Sequence, residues 1–149
     1  MIIALASDFR FIAEGKGTLG LPEVNMGIPL LGGSTPLLAR VVNRAVAMEI
    51  ALSGNTYGSQ QALSIGLVHR VFKDEELLEK SVAFAQGLAE KGPVAVAVIK
   101  RCINESLREE ILGVLPSELH AVEKTAESED MKEGFSSFFE KRKPVYKGK

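Results

Sequence analysis

The stretch GLPEVNMGIPLLGGSTPLLAR, Gly20 to Arg40, constrains this chain most. It joins an apolar segment with one carboxylate, Glu23, to a Gly/Pro-rich turn from Gly27 to Gly33. An apolar run opened by Ser34, Thr35 and Pro36 follows. Serine or threonine ahead of proline is a good helix start. The hydroxyl can accept from a free N–H, and proline at the first position gives up no hydrogen bond. A helix opening beneath a glycine turn leaves backbone N–H groups available to an anion or a polarised oxygen. The spacing predicts a turn–helix mouth with Glu23 beside it. A surface glutamate ahead of an ordinary loop fits the spacing as well.

The 149 residues are enough for one domain with a real core, and 46% hydrophobic content excludes a disordered chain. A net charge of -1 makes no case for nucleic acid or an anionic membrane as partner. No uninterrupted apolar stretch reaches the roughly 18 residues a membrane helix needs. The start, MIIALASDFRF, lacks the basic and long apolar regions of a signal peptide, so a cytoplasmic location is expected. That start reads as core structure. A buried beginning with no lead-in is expected of a chain that lacks its first part or completes itself against an N-terminal partner chain. Cys102 is the single cysteine, which excludes an internal disulfide; between apolar neighbours it reads as a buried, inert thiol.

The order of patterns predicts an α/β fold that becomes helical. Residues 2–7 read as the end of a helix or a short strand. FRFIA, Phe9 to Ala13, reads as a strand with Phe9 and Phe11 on one face and Arg10 on the other. Thr18 to Val24 reads as a second strand, at an edge because of Pro22. Helices are predicted over 36–42, 44–52 and 59–65, the last capped by Ser59 and stopped by Gly66, with a short strand over 67–72. From Asp74 a long amphipathic helix carries Leu77, Leu78, Val82, Ala85 and Leu88 at helical spacing. Lys91-Gly92-Pro93 breaks the chain. Two helices are then expected, 94–107 and 109–128, with Pro116 as a kink or fresh start. Asp130 to Gly134 reads as a polar turn, and Phe135 to Lys143 as a short helix anchored by Phe135, Phe138 and Phe139. Residues 1–72 thus form an α/β core and 73–149 a helical region, with no linker long enough to make them independent.

Several chemistries lack their residues. His69 and His120 have no second histidine at ligand spacing, so no metal site is predicted, and His69 reads as structural. GGST around Ser34 is not a nucleophile elbow, and neither GxGxxG nor a P-loop lysine occurs. General acid–base chemistry rests on Glu23 among Leu21, Pro22, Val24, Met26 and Ile28. That apolar setting would desolvate its carboxylate. The cluster EKRKP, Glu140 to Pro144, can pair with phosphate or simply form a solvated face.

In combination, LASDFRFIAE, GLPEVNMGIPLLGG, RAVAMEIALSGNTYGSQQALSIGLVHRVF and EGFSSFFEKRKP resemble the enoyl-CoA hydratase/isomerase (crotonase) superfamily over essentially the whole chain. The resemblance implies the last part of a spiral of ββα turns, followed by C-terminal helices that cover the active site and mediate a trimer or hexamer. It implies an acyl-CoA thioester substrate of the kind met in fatty acid metabolism, with coenzyme A entering as part of the substrate and no prosthetic group. Glu23 matches the acidic residue that handles a proton or water at the acyl chain. Pro22, Leu31, Gly32 and Gly33 match the wall of the acyl site. Lys141 matches a lysine that binds coenzyme A phosphate. Other positions depart from the pattern: Ile2 stands where hydratases carry another acid, Leu31 where some members place Asp, and Val122 where an aromatic packs on adenine. The two N–H groups of the usual oxyanion hole match no residue of this chain. The resemblance therefore implies either hydration or isomerisation of a 2-enoyl-CoA or a non-catalytic oligomerising or acyl-CoA-binding homologue.

Overall fold

The computed structural model describes all 149 residues. Its first part is built of short elements. α1 (Ile2–Leu5) leads to β1 (Phe11–Ala13) and β2 (Thr18–Gly20). A 3-10 turn over Pro22–Met26 precedes α2 (Ser34–Val41) and α3 (Arg44–Ser53). β3 (Thr56–Gly58), α4 (Ser59–Ser64) and β4 (Arg70–Phe72) complete it. β1 pairs with β4 in parallel, Ile12 opposite Val71, and β2 pairs with β3 antiparallel, Leu19 opposite Tyr57. Leu5, Ile12, Leu21, Leu38, Ile50 and Leu67 meet in one core between these pairs and α2–α4.

The FRFIA alternation appears as read. Phe9 and Phe11 both pack on Phe84, with ring centroids 4.7 and 5.2 Å away. Arg10 turns the other way, and its Nε donates to the Leu67 carbonyl at 2.9 Å. The expected strand to Val24 stops at Gly20 instead. Pro22 lacks a ladder donor and its fixed φ suits the first residue of a helical turn, so PEVNM coils into the 3-10 turn.

Beyond a 3-10 turn at Asp74–Glu76 the chain is helical: α5 (Leu77–Ala89), α6 (Pro93–Ala126) and α7 (Glu129–Phe139). Pro93 opens α6 as its first residue. The two helices expected over 94–128 are one, running through Pro116. Pro116 and Leu112, whose carbonyl loses its usual donor there, are both exposed, so that carbonyl lies on the solvent side. The inward stripe of α6 is Leu107, Ile111, Val114 and Glu118, while Leu112, Leu115 and Leu119 face out. On α5, Leu78 and Val82 are likewise exposed and Phe84 supplies the contact.

The polar turn expected over 130–134 is the first half of α7. The Ser128 hydroxyl accepts from the Met131 N–H at 3.1 Å, and Glu129 and Asp130 suit the positive end of the helix. Phe135, Phe138 and Phe139 do not anchor this helix; Phe139 is 77% exposed. Gly134 and Ser137 face inward because only small residues fit there. A Cβ on Gly134 would lie 2.3 Å from the Met26 carbonyl oxygen. Cys102 is exposed, not buried, because the outer face of α6 carries apolar residues that nothing in the chain covers. No single helix is long and apolar enough to cross a membrane.

Candidate functional site

Glu23 sits at the second position of the 3-10 turn. Its carbonyl accepts from the Ile28 N–H at 3.1 Å, closing the turn on itself. Three neighbours hold the turn. The Asn25 side chain donates to the Gly54 carbonyl at the end of α3 at 3.0 Å. Gly134 lets α7 lie against the Met26 backbone. The Tyr146 hydroxyl donates to the Asn25 carbonyl at 2.7 Å. One carboxylate oxygen of Glu23, Oε2, is buried and makes no hydrogen bond. A buried acceptor without a donor is uncommon in a folded chain. Pro22 beside it is exposed.

The glycine turn differs from its expected form in one respect. Gly32 and Gly33 adopt consecutive left-handed conformations, φ 70° and 73°, which side chains at those positions would resist. Gly33 directly precedes α2, and no hydroxyl caps the helix. Ser34 is fully buried and its Oγ has no partner. The helix mouth is closed instead by Glu118 of α6, 85 residues away in the chain. Its Oε2 accepts from the Gly33 N–H at 2.7 Å. Its Oε1 accepts from the Thr35 hydroxyl at 2.7 Å and from the Thr35 N–H at 3.4 Å. The positive end of α2 thus meets a carboxylate from its own chain. The Gly33 and Thr35 N–H groups are not available to a ligand, which corrects the open mouth expected from spacing.

The two glycines also face different surroundings. A Cβ on Gly33 would strike Ile111 at 2.7 Å, whereas nothing lies within 4 Å of that position on Gly32. Gly33 belongs to the joint between α2 and α6, and Gly32 faces open space. Leu31 is half-buried beside them.

Lys141 lies just past α7 in a left-handed conformation, φ 55°. Its N–H donates to the Phe138 carbonyl at 3.2 Å, and the next N–H, of Arg142, donates to Ser137 at 3.0 Å. This double bond is the usual way a helix ends on glycine, here with lysine in glycine's place. Within the EKRKP cluster the cations divide. Arg142 is paired with Glu133 and Glu140, while Lys141 and Lys143 are exposed and pair with no carboxylate. Arg142 and the Val145 N–H hold the Glu133 carboxyl well below its ordinary range, at about 2. Lys141 lies just past the C-terminal end of α7, seven residues beyond Gly134, where the helix meets the turn that bears Glu23.

His69 is structural in its contacts, as expected. Its Nδ1 accepts from the Arg10 N–H at 3.1 Å, next to the β1–β4 pair. Burial, with the nearby positive Arg10, lowers its proton affinity. No three His, Cys, Asp or Glu side chains converge as metal ligands would.

Reading from sequence missed Glu118. The signal was present: Leu107, Ile111 and Val114 recur at helical spacing, and Glu118 continues the same stripe. A carboxylate in line with three apolar residues calls for a buried partner.

A family model described as enoyl-CoA hydratase/isomerase matches residues 1–149. A "Probable enoyl-CoA hydratase" of Bacillus subtilis (strain 168) is 40% identical over 147 residues, covering 98% of this chain and 57% of that protein. "Probable enoyl-CoA hydratase 2, mitochondrial" of Arabidopsis thaliana is 35% identical over 146 residues, covering 98% of this chain and 48% of that protein. Among solved structures, an enoyl-CoA hydratase/isomerase from Pseudoalteromonas atlantica T6c superposes with a TM-score of 0.88 at 30% identity, covering 98% of this chain and 58% of that one. The chain spans about half the length of the curated relatives it matches. Its short paired strands and terminal helices are the matching part of the crotonase fold. On the match along its whole length and on its fold, the chain belongs to the enoyl-CoA hydratase/isomerase family.

Proposed function

We propose that the protein carrying this chain acts on an acyl-CoA thioester, with Glu23 as general acid or base at the acyl chain. The observation that carries this reading is the free, buried Oε2 of Glu23 on a turn held from three sides. A carboxylate with one buried, unused acceptor on a turn fixed in place can take a proton from water or return one to carbon. Gly32, with nothing within 4 Å of where a side chain would stand, would leave room for an acyl chain next to Leu31, with Pro22 and Gly33 as further parts of that wall. Lys141, free of any carboxylate, would meet a coenzyme A phosphate. Hydration or isomerisation of an enoyl-CoA is the reaction of this kind that the related proteins' names carry. The chain's own residues supply one proton-transfer group. The N–H groups that would stabilise an enolate oxygen would come from outside it, for example from an N-terminal partner chain.

A second reading has one observation in its favour. Val94, Ile99 and Ile103 on α6, with Leu78 on α5, stand exposed on faces that no part of the chain covers. A module that oligomerises or binds acyl-CoA without turnover would use such faces. Purification from the native host followed by mass analysis separates the two. A co-purifying N-terminal polypeptide and turnover of a 2-enoyl-CoA support the enzyme. In that preparation Glu23→Gln should lower the rate at least about tenfold, since general acid–base catalysis contributes roughly 10² to 10⁴. An unchanged rate removes Glu23 from the chemistry.

A further inference from the structure

We propose that Glu118 is a positioning residue for the acyl-facing turn, an inference that rests on the acyl-CoA reading above. Glu118 is only 6% exposed although it lies on a helix whose surface is mostly open. It spends its acceptors on the backbone and side chain of the turn: Gly33 N–H on one oxygen, Thr35 N–H and hydroxyl on the other. Two helical turns earlier on the same stripe, Ile111 packs where a side chain on Gly33 would be. α6 therefore grips Gly33 twice, once by packing and once by charge-assisted hydrogen bonding.

The consequence falls on Gly32. Two successive left-handed residues are a conformation that a free glycine-rich loop visits among many. With Gly33 locked to α6, the Gly32 backbone is held facing open space at a set position. Glu118 thereby shapes the acyl wall without touching an acyl chain. It also neutralises the mouth of α2, so the fixed charge next to the wall belongs to the protein and not to a ligand.

Glu118→Gln and Glu118→Leu test the assignment in the protein as purified, by two readouts. The first is amide hydrogen exchange. Glutamine keeps one acceptor, so exchange should quicken about tenfold at either Gly33 or Thr35; leucine keeps none, so it should quicken at both. The second is binding of a saturated acyl-CoA against free coenzyme A. Acyl-CoA affinity should fall about fivefold or more in both variants, while free coenzyme A, held through Lys141 past the end of α7, should stay within about twofold. Unchanged exchange at both amides overturns the lock. Equal weakening of the two ligands, in a Gln variant that melts like the parent, overturns the positioning role. Failure of the unsubstituted protein to bind either ligand removes the acyl-CoA reading and the positioning role with it. The exchange data still decide whether Glu118 holds the turn.

Discussion

Residues 1–72 and 73–149 are of similar length and are built on opposite terms. Every buried apolar side chain lies between Leu5 and Val68. Beyond Phe72 only Glu118, Gly134 and Ser137 are buried. Glu118 and Gly134 are joints to the first part, and the Ser137 hydroxyl bonds back to the Gly134 carbonyl at 2.9 Å. The first part is held by a shared core. The second is held to it by Leu107 and Ile111 packed on that core, the Glu118 carboxylate, the close Gly134 contact, an aromatic cluster around Phe84, three ion pairs and the Tyr146 hydroxyl. The tail is itself tied to α7, where the Lys147 and Gly148 N–H groups donate to Asp130 at 2.7 and 2.8 Å. The contrast teaches where each region draws its order. The first makes its own interior, whereas the long helix adds Leu107, Ile111 and the Glu118 carboxylate to it and leaves its other apolar face uncovered.

The contrast can be broken most forcefully by truncating matched leucines. Leu38→Ala, at 1% exposure in the core, should cost about 2–5 kcal/mol in denaturant unfolding. Leu119→Ala, at 61% exposure on α6, should stay within about 0.5 kcal/mol. A comparable loss at Leu119 would mean that the outer face of α6 is covered in solution and that the two regions differ less than they look.

Glycine substitutions sharpen the same comparison at smaller scale. Gly134→Ala drives a Cβ into the Met26 backbone and should destabilise by about 1–3 kcal/mol. Gly113→Ala, in α6 with nothing within 4 Å, should stabilise by about 0.5–1 kcal/mol through helix propensity. Melting curves of the two variants should shift in opposite directions.

Acid should loosen the two regions in different windows. His69 has a lowered folded value, so its contribution to the β1–β4 pair is complete above the ordinary 6.5 and fades as pH falls through the folded value. Glu133 has its carboxyl lowered from 4.5 to about 2, so its tie to the tail is complete above 4.5 and fades toward 2. Exchange at the Arg10 amide, which donates to His69 Nδ1, should therefore respond first on acidification, and exchange at Val145 only below 4.5. Loss of Val145 protection at neutral pH in Glu133→Leu, which leaves no acceptor, is the matching control.

The smallest effect concerns Lys141. Replacing it by glycine relieves a left-handed lysine and should stabilise the end of α7 by about 1 kcal/mol or less. The same change should weaken coenzyme A binding in a titration. A variant both steadier and poorer at binding would show that the lysine is held there at a structural cost.

Much of the molecule was legible before any coordinates. Local chemistry specified the break at Lys91-Gly92-Pro93, the stop at Gly66 with its φ of 78°, the split faces of FRFIA, and the family itself from combined motifs. These depend on residues within a few positions of one another, where proline, glycine and alternation act directly on the backbone. Tertiary structure alone decided which stripe of α6 turns inward, because the helix is apolar on more than one face and only contact with α2 breaks the tie. It fixed where the PEVNM turn started by Pro22 sits, because α3, α7 and Tyr146 clamp it. It placed Glu118 at the mouth of α2, because a hydrogen bond across 85 residues leaves no trace in local spacing beyond a charge standing where a leucine would do.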